Sequence, residues 1–111
     1  SASEALNKER VTLKKQNEQL KNERAALYQE LGVVYAQARL FDMAIDAYTK
    51  SLNINPNNAQ AHYDIGILYK HSKDNSKKCV YHLKKYLQLN PEAKNRRDVE
   101  YIINMLIEEK R

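Results

Sequence analysis

The sequence predicts an all-α chain, with two helical hairpins, a C-terminal capping helix and an extended N-terminal coiled-coil helix. Three observations carry that expectation. Gly 2 and Pro 2 in 111 residues lie far below the usual shares of about 7% and 5%, too few turn formers for a many-stranded sheet. Leu6, Leu13, Leu20 and Leu27 stand seven apart in a stretch that holds neither residue. Residues 28–35 and 62–69 repeat one another, with Leu31/Ile65, Gly32/Gly66 and Tyr35/Tyr69 each 34 apart.

The length allows one small domain with an extension, not a two-lobed enzyme. With 42% apolar against 30% charged residues and a mean hydropathy of -0.80, core is scarce relative to surface, which favours an elongated or oligomeric shape. No run of eighteen apolar residues is present, so no membrane span is expected. The lone Cys79 excludes an internal disulfide framework. Ser1-Ala2-Ser3 lacks an initiator Met and reads as a processed or added end, so a targeting signal would lie outside the sequence.

The N-terminal element reads as one helix over about 4–38, of which 1–24 form the extension. With Leu6, Leu13, Leu20 and Leu27 at heptad position d, the a positions are Ser3, Arg10, Asn17 and Arg24. Glu9 then stands at g and Lys14 at e, a pair that meets between parallel strands, and Asn17 matches the buried Asn that fixes register in dimers. The two Arg at a lose apolar burial worth roughly 1.5–3 kcal/mol per side chain, so the coil is short and weak. Three readings stay open: a solvated rod, packing of the stripe on the chain's own hairpins, and self-association through Leu6, Leu13, Asn17, Leu20 and Leu27 as a homodimer. The third is favoured because Leu31 and Val34 prolong the stripe.

The first hairpin covers 25–58 and the second about 59–92. Tyr28, Leu31, Gly32 and Tyr35, and then Ala44, Ile45, Tyr48 and Leu52 after a proposed N-cap at Asp42, form apolar helical stripes. A mid-helix Gly costs about 1 kcal/mol against Ala, so Gly32 and Gly66 imply a close approach of two helix axes. Asn55-Pro56 and Asn90-Pro91 end the units, the Pro suiting the first turn of the next helix. Ala44/Cys79, Tyr48/Leu83 and Pro56/Pro91 are 35 apart, placing a one-residue insertion near Lys73 to Ser76. Residues 93–107 read as the capping helix, with Val99, Ile102, Ile103, Leu106 and Ile107 inward. Its segment 101–107 is more apolar than one buried face requires.

The pattern Tyr28-x-x-Leu31-Gly32-x-x-Tyr35, then Ala44, Tyr48 and Pro56, resembles the tetratricopeptide repeat. The second unit resembles it less closely, with His62, Cys79 and Leu83 at positions where the family has a large aromatic, a small residue and a second aromatic. Both units lack the Gly usual between the paired helices, so Arg39 and the Ser72 to Asn75 stretch must turn the chain, Asn75 being able to adopt a left-handed conformation. The resemblance implies a concave face that binds a peptide or protein, and places Gln29, Val33, Ala36, Gln37, Tyr63, Ile67, Lys70 and His71 on it. The capping helix could cover Ile67 instead. Gln29, Val33 and Asp64 occupy places where chaperone-binding members carry a carboxylate clamp, so that clamp is not expected. A coiled coil followed by repeats is similar in layout to some bacterial envelope proteins, which leaves the compartment open.

Catalytic patterns are absent: there is no phosphate-cradling Gly-rich loop and no His-Glu-x-x-His. Cys79 and His82 sit at i, i+3, but a zinc site needs three or four ligands, so Cys79 reads as a core residue. No enzyme, metal or cofactor is expected. Lys73, Lys77, Lys78, Lys84, Lys85, Lys94, Arg96 and Arg97 could attract phosphate, diluted by Asp74, Asp98 and Glu100. Nucleic-acid binding is the weaker alternative, since only five residues precede Leu6 where a zipper factor needs a basic helix. The expected function is a non-catalytic interaction scaffold, with self-assembly through the apolar C-terminal helix as a further alternative.

Overall fold

A computed structural model describes residues 1–70 and 75–109. Five helices follow in order: α1 (Ala2–Gln37), α2 (Phe41–Ile54), α3 (Ala59–Lys70), α4 (Ser76–Leu89) and α5 (Arg96–Glu108). There is no strand among the described residues. Helices α1 and α2 pair as one hairpin and α3 and α4 as a second; α2 packs on α3, and α5 closes against α4. The chain extends 68 × 30 × 23 Å, because about 54 Å of it is the single 36-residue helix α1 at 1.5 Å per residue.

Helix α1 opens with a capping box, the Ser1 hydroxyl accepting from the Glu4 amide and the Glu4 side chain returning to Ser1. Burial begins only at Ala25. The Ala25 carbonyl there accepts a 2.7 Å hydrogen bond from the buried hydroxyl of Ser51 on α2, which ties the end of one helix to the middle of the other.

Both glycines lie where the partner helix crosses. A Cβ on Gly32 would stand 2.7 Å from the Tyr48 ring, and one on Gly66 would stand 2.8 Å from Leu83 Cδ2. Tyr48 joins Ala44, Leu52, Ala61 and Ile65 in the first core; Leu83 joins Cys79, Tyr86, Val99 and Ile103 in the second. Tyr69 packs against both.

Several local expectations are corrected. Asp42 lies within the first turn of α2, whose N-cap is Leu40 without a side-chain hydrogen bond; its carboxylate suits the helix dipole there. Pro56 and Pro91 precede α3 and α5 by several residues, because Asn58 caps α3 by accepting from the Ala61 amide at 3.2 Å and Asn95 stands at the N-cap of α5. Asn75 has φ -116, not a left-handed value. The last helix runs 96–108 instead of 93–107, the intervening segment being used by turns in which Ala93 and Arg96 donate to Asn90 and Ala93. Leu31 is 39% exposed whereas its counterpart Ile65 is 1% exposed: α2 covers α3, and no described helix covers the corresponding face of α1.

The loop without glycine is solved by Arg39, which takes φ 63. Its amide donates to Ala36 and the Leu40 amide to Tyr35, the paired bonds of a Schellman motif usually built on Gly. The turn of the second hairpin at Ser72 to Asp74, with Lys73 and His71, lies outside the described residues.

Two stability measurements check this geometry. Gly32→Ala should lower the urea-unfolding free energy by about 1 kcal/mol net, overpacking against Tyr48 outweighing the better helix propensity of Ala. Arg39→Gly should raise it by about 0.5–1 kcal/mol by relieving the positive φ.

Candidate interaction surfaces

Two surfaces correspond to the residues singled out above. The first is the free part of α1. Every residue from 1 to 24 is exposed, so the leucine stripe does not pack on its own hairpins. Leu6, Leu13, Leu20 and Leu27 are 52–62% exposed, and Asn17 lies exposed among them. Heptad spacing puts these side chains along one line of the helix, with Glu9, Gln16 and Glu23 on one flank and Asn7, Lys14 and Lys21 on the other. An apolar line with oppositely charged borders can associate with a like helix.

The second surface is the face formed by α1 and α3. Gln29 is half-buried and its Oε1 accepts from Asn58 Nδ2 at 2.6 Å, so it braces the link between α2 and α3. Val33, at 39% exposure, and Gln37 stay open to solvent, and Ala36 packs against the first core. Tyr63 and Ile67 are half-buried beside the second core, together with Val99 and Ile103 of α5. The Tyr63 ring lies 5.0 Å from that of Tyr86, whose hydroxyl donates to Asn95 Oδ1 at 2.7 Å. The structure therefore brings Tyr63 and Ile67 together with the last helix and leaves Val33, Gln37 and exposed Lys70 outside that cluster; His71 lies outside the described residues.

Helix α5 has a second, unpacked side. Tyr101 and Met105 are exposed while Val99 and Ile103 are buried; Ile107, 38% exposed, continues the inward side next to Ser76, Lys77 and Val80 of α4. On α4, Lys77, Lys78 and Lys84 are exposed and Lys85 is half-buried; the ammonium of Lys78 lies 5.5 Å from the centre of the Tyr69 ring. Lys94, Arg96 and Arg97 are exposed, and Arg96 is engaged by Glu100 and the Pro91 carbonyl.

Cys79 is fully buried, and burial pushes its thiol up to about 11, which removes it as a nucleophile at neutral pH. No three of His, Cys, Asp and Glu converge among the described residues. His82 instead meets His62, their Nδ1 atoms 3.0 Å apart. Because His62 Nε2 faces the Pro56 carbonyl at 3.2 Å, which can only accept, Nε2 carries the proton, and His62 Nδ1 accepts from Nδ1–H of His82. Both rings are neutral in that arrangement. Burial holds both pKa values below the ordinary histidine range, that of His82 at about 4. The pairing was not readable from spacing, since the two residues sit on different helices of one hairpin.

Two models of the tetratricopeptide repeat match the chain, one over residues 25–58 and the other over 47–80. The first spans the hairpin-forming end of α1 and all of α2; the second begins on α2 and reaches into α4. Together they cover 25–80, a segment that holds both glycines and the Gly32–Tyr48 contact but stops short of Leu83, the residue that meets Gly66. No curated protein matches the chain.

The histidine pair gives a pH signature. At neutral pH both states hold neutral rings; as pH falls below 6.5 the unfolded chain takes up protons that the folded pair resists, His82 down to about 4. Melting temperature should therefore fall steadily from pH 6.5 to 4, and His82→Phe should flatten that slope in a calorimetric pH series.

Proposed function

The chain belongs to the tetratricopeptide-repeat family, whose repeats generally mediate protein–protein interaction and whose members are typically non-catalytic scaffolds, and we propose on that premise that it is a self-associating interaction scaffold. Residues 1–24 serve as the associating rod, 25–58 and 59–92 as two repeat units, and the segment from 93 as the cap. No helix among the described residues is long and apolar enough to cross a membrane.

The observation that carries the reading is the free stripe of Leu6, Leu13, Leu20 and Leu27, exposed along a helix with no other described element against it. Four leucines in heptad phase bury their side chains only against a second helix. A parallel homodimer pairs Asn17 with Asn17 and sets Glu9 against Lys14. It also carries two copies of the repeat face, Gln29, Val33, Gln37, Tyr63, Ile67, Lys70 and His71, in which Val33, Gln37 and Lys70 are exposed among the described residues and accessible to a peptide or protein partner. Two linked faces raise avidity for a repeated partner without any new contact.

A second reading rests on Tyr101 and Met105, whose exposure on one side of α5 suits contact between copies through the last helix. Sedimentation equilibrium separates the two. The intact chain should sediment as a dimer and Leu13→Ala/Leu20→Ala as a monomer, both positions being exposed in the protomer and so free to change without unfolding it. A monomeric parent would refute self-association, and a dimer surviving in the variant would move the interface to α5.

A further inference from the structure

The repeat symmetry of the two hairpins gives the stripe a second role. In the inner hairpin Ile65 is 1% exposed and Leu68 half-buried, both in the core that α2 forms on α3. Their equivalents 34 residues earlier, Leu31 and Val34, are 39% and 56% exposed, with no described helix lying over them. Leu31 and Val34 also continue the heptad at a and d beyond Leu27. The residues that lack a covering helix in the array are thus those that the coiled-coil register would bury.

We propose that the interface between two parallel copies continues past the free rod onto the first hairpin, where α1 of the second copy covers the face of α1 that corresponds to the one α2 covers on α3. This inference rests on the self-association proposed above. At 100° per residue, Leu27, Leu31 and Val34 face roughly 140° away from Ala25 and Gly32, which face α2, so a second helix fits without meeting α2. Between the two directions runs an open groove of about 330 Å³, lined by Tyr28, Leu31 and Tyr35 of α1 and by Met43, Asp46 and Lys50 of α2. Tyr28 and Tyr35 are e positions, and in a parallel pair they receive g residues five earlier on the second copy, Glu23 and Glu30.

Charge selects this arrangement at one end of the groove. The ammonium of Lys50 lies 5.8 Å from the centre of the Tyr28 ring and 3.2 Å from Asp46, on the wall that Glu23 of the second copy approaches. Glu30 approaches Tyr35 and, across the groove, Asp42, a like-charge encounter at the open end that weakens the fit. An antiparallel pair would bring e residues to e residues and no Glu to Lys50.

Sedimentation equilibrium of charge-reversed variants tests the seat apart from the rod. Val34→Lys should weaken the dimer about tenfold or more, although Val34 lies outside the free extension. Glu23→Lys and Lys50→Glu should each weaken it about threefold, and Glu23→Lys/Lys50→Glu should return to within about twofold of the parent. Glu30→Lys should tighten it about threefold, reversing the encounter with Asp42. If Leu13→Ala/Leu20→Ala abolishes a dimer that Val34→Lys leaves unchanged, or if the Glu23 and Lys50 effects simply add, the seat on the hairpin is overturned while the coiled coil stands. A monomeric parent overturns both.

Discussion

The contact of a bare helix backbone with a large side chain sets the geometry of the molecule. At Gly32 the Tyr48 ring lies where a Cβ would stand, and at Gly66 Leu83 does, so the axes within each hairpin approach closely enough to bury Ala44, Ile65 and Cys79 almost completely. Once the hairpins close this way, α2 has only one apolar face left, and it goes onto α3; the second hairpin in turn needs α5 to cover Cys79, Leu83 and Tyr86. A repeat array of this kind is stabilised by each unit and by its nearest neighbours. At one end α5 supplies Val99 and Ile103. On the outer face of α1, Leu31 and Val34 are exposed, with no described helix over them.

What could be read in the residues follows from this. A mid-helix glycine repeated at an offset of 34 betrays a close approach whatever the surrounding side chains, so the hairpins, their pairing and the capping helix were legible. The length of α1 was too, because nothing between Ala2 and Gly32 interrupts a helix. The turns were less so: Arg39 adopts a left-handed conformation that its side chain disfavours, imposed by the Schellman bonds to Tyr35 and Ala36, and no local preference announces a residue held by its neighbours' carbonyls. Asp42 sits in an acidic first turn whether or not it caps. Leu31 fits the apolar stripe as well as Ile65 does, and only the presence or absence of a helix alongside separates them.

The proposed binding face shows the same division. Helical spacing puts Val33, Tyr63 and Ile67 on one side of their helices, but Tyr63 and Ile67 are shared with α5 and Gln29 is held by Asn58, contacts made by elements far along the chain. The pair formed by His62 and His82 is likewise tertiary, and it places two neutral imidazoles where the family pattern has an aromatic. Asp64, on the same helix as His62, has its carboxyl pushed up by burial despite the hydrogen bond from Gln60.

Helix α1 belongs at once to the rod and to the first hairpin, with no glycine, proline or loop at the junction near Ala25, and Ser51 clamps that junction from the side. A flexible linker would let a tethered domain sample many orientations; a continuous helix does not. Anything that grips the N-terminal end therefore fixes the direction in which the hairpins point as well as their distance, some tens of ångströms away. The molecule works as a rigid bracket, and a rotation of the rod about its own axis would turn the repeat face by the same angle.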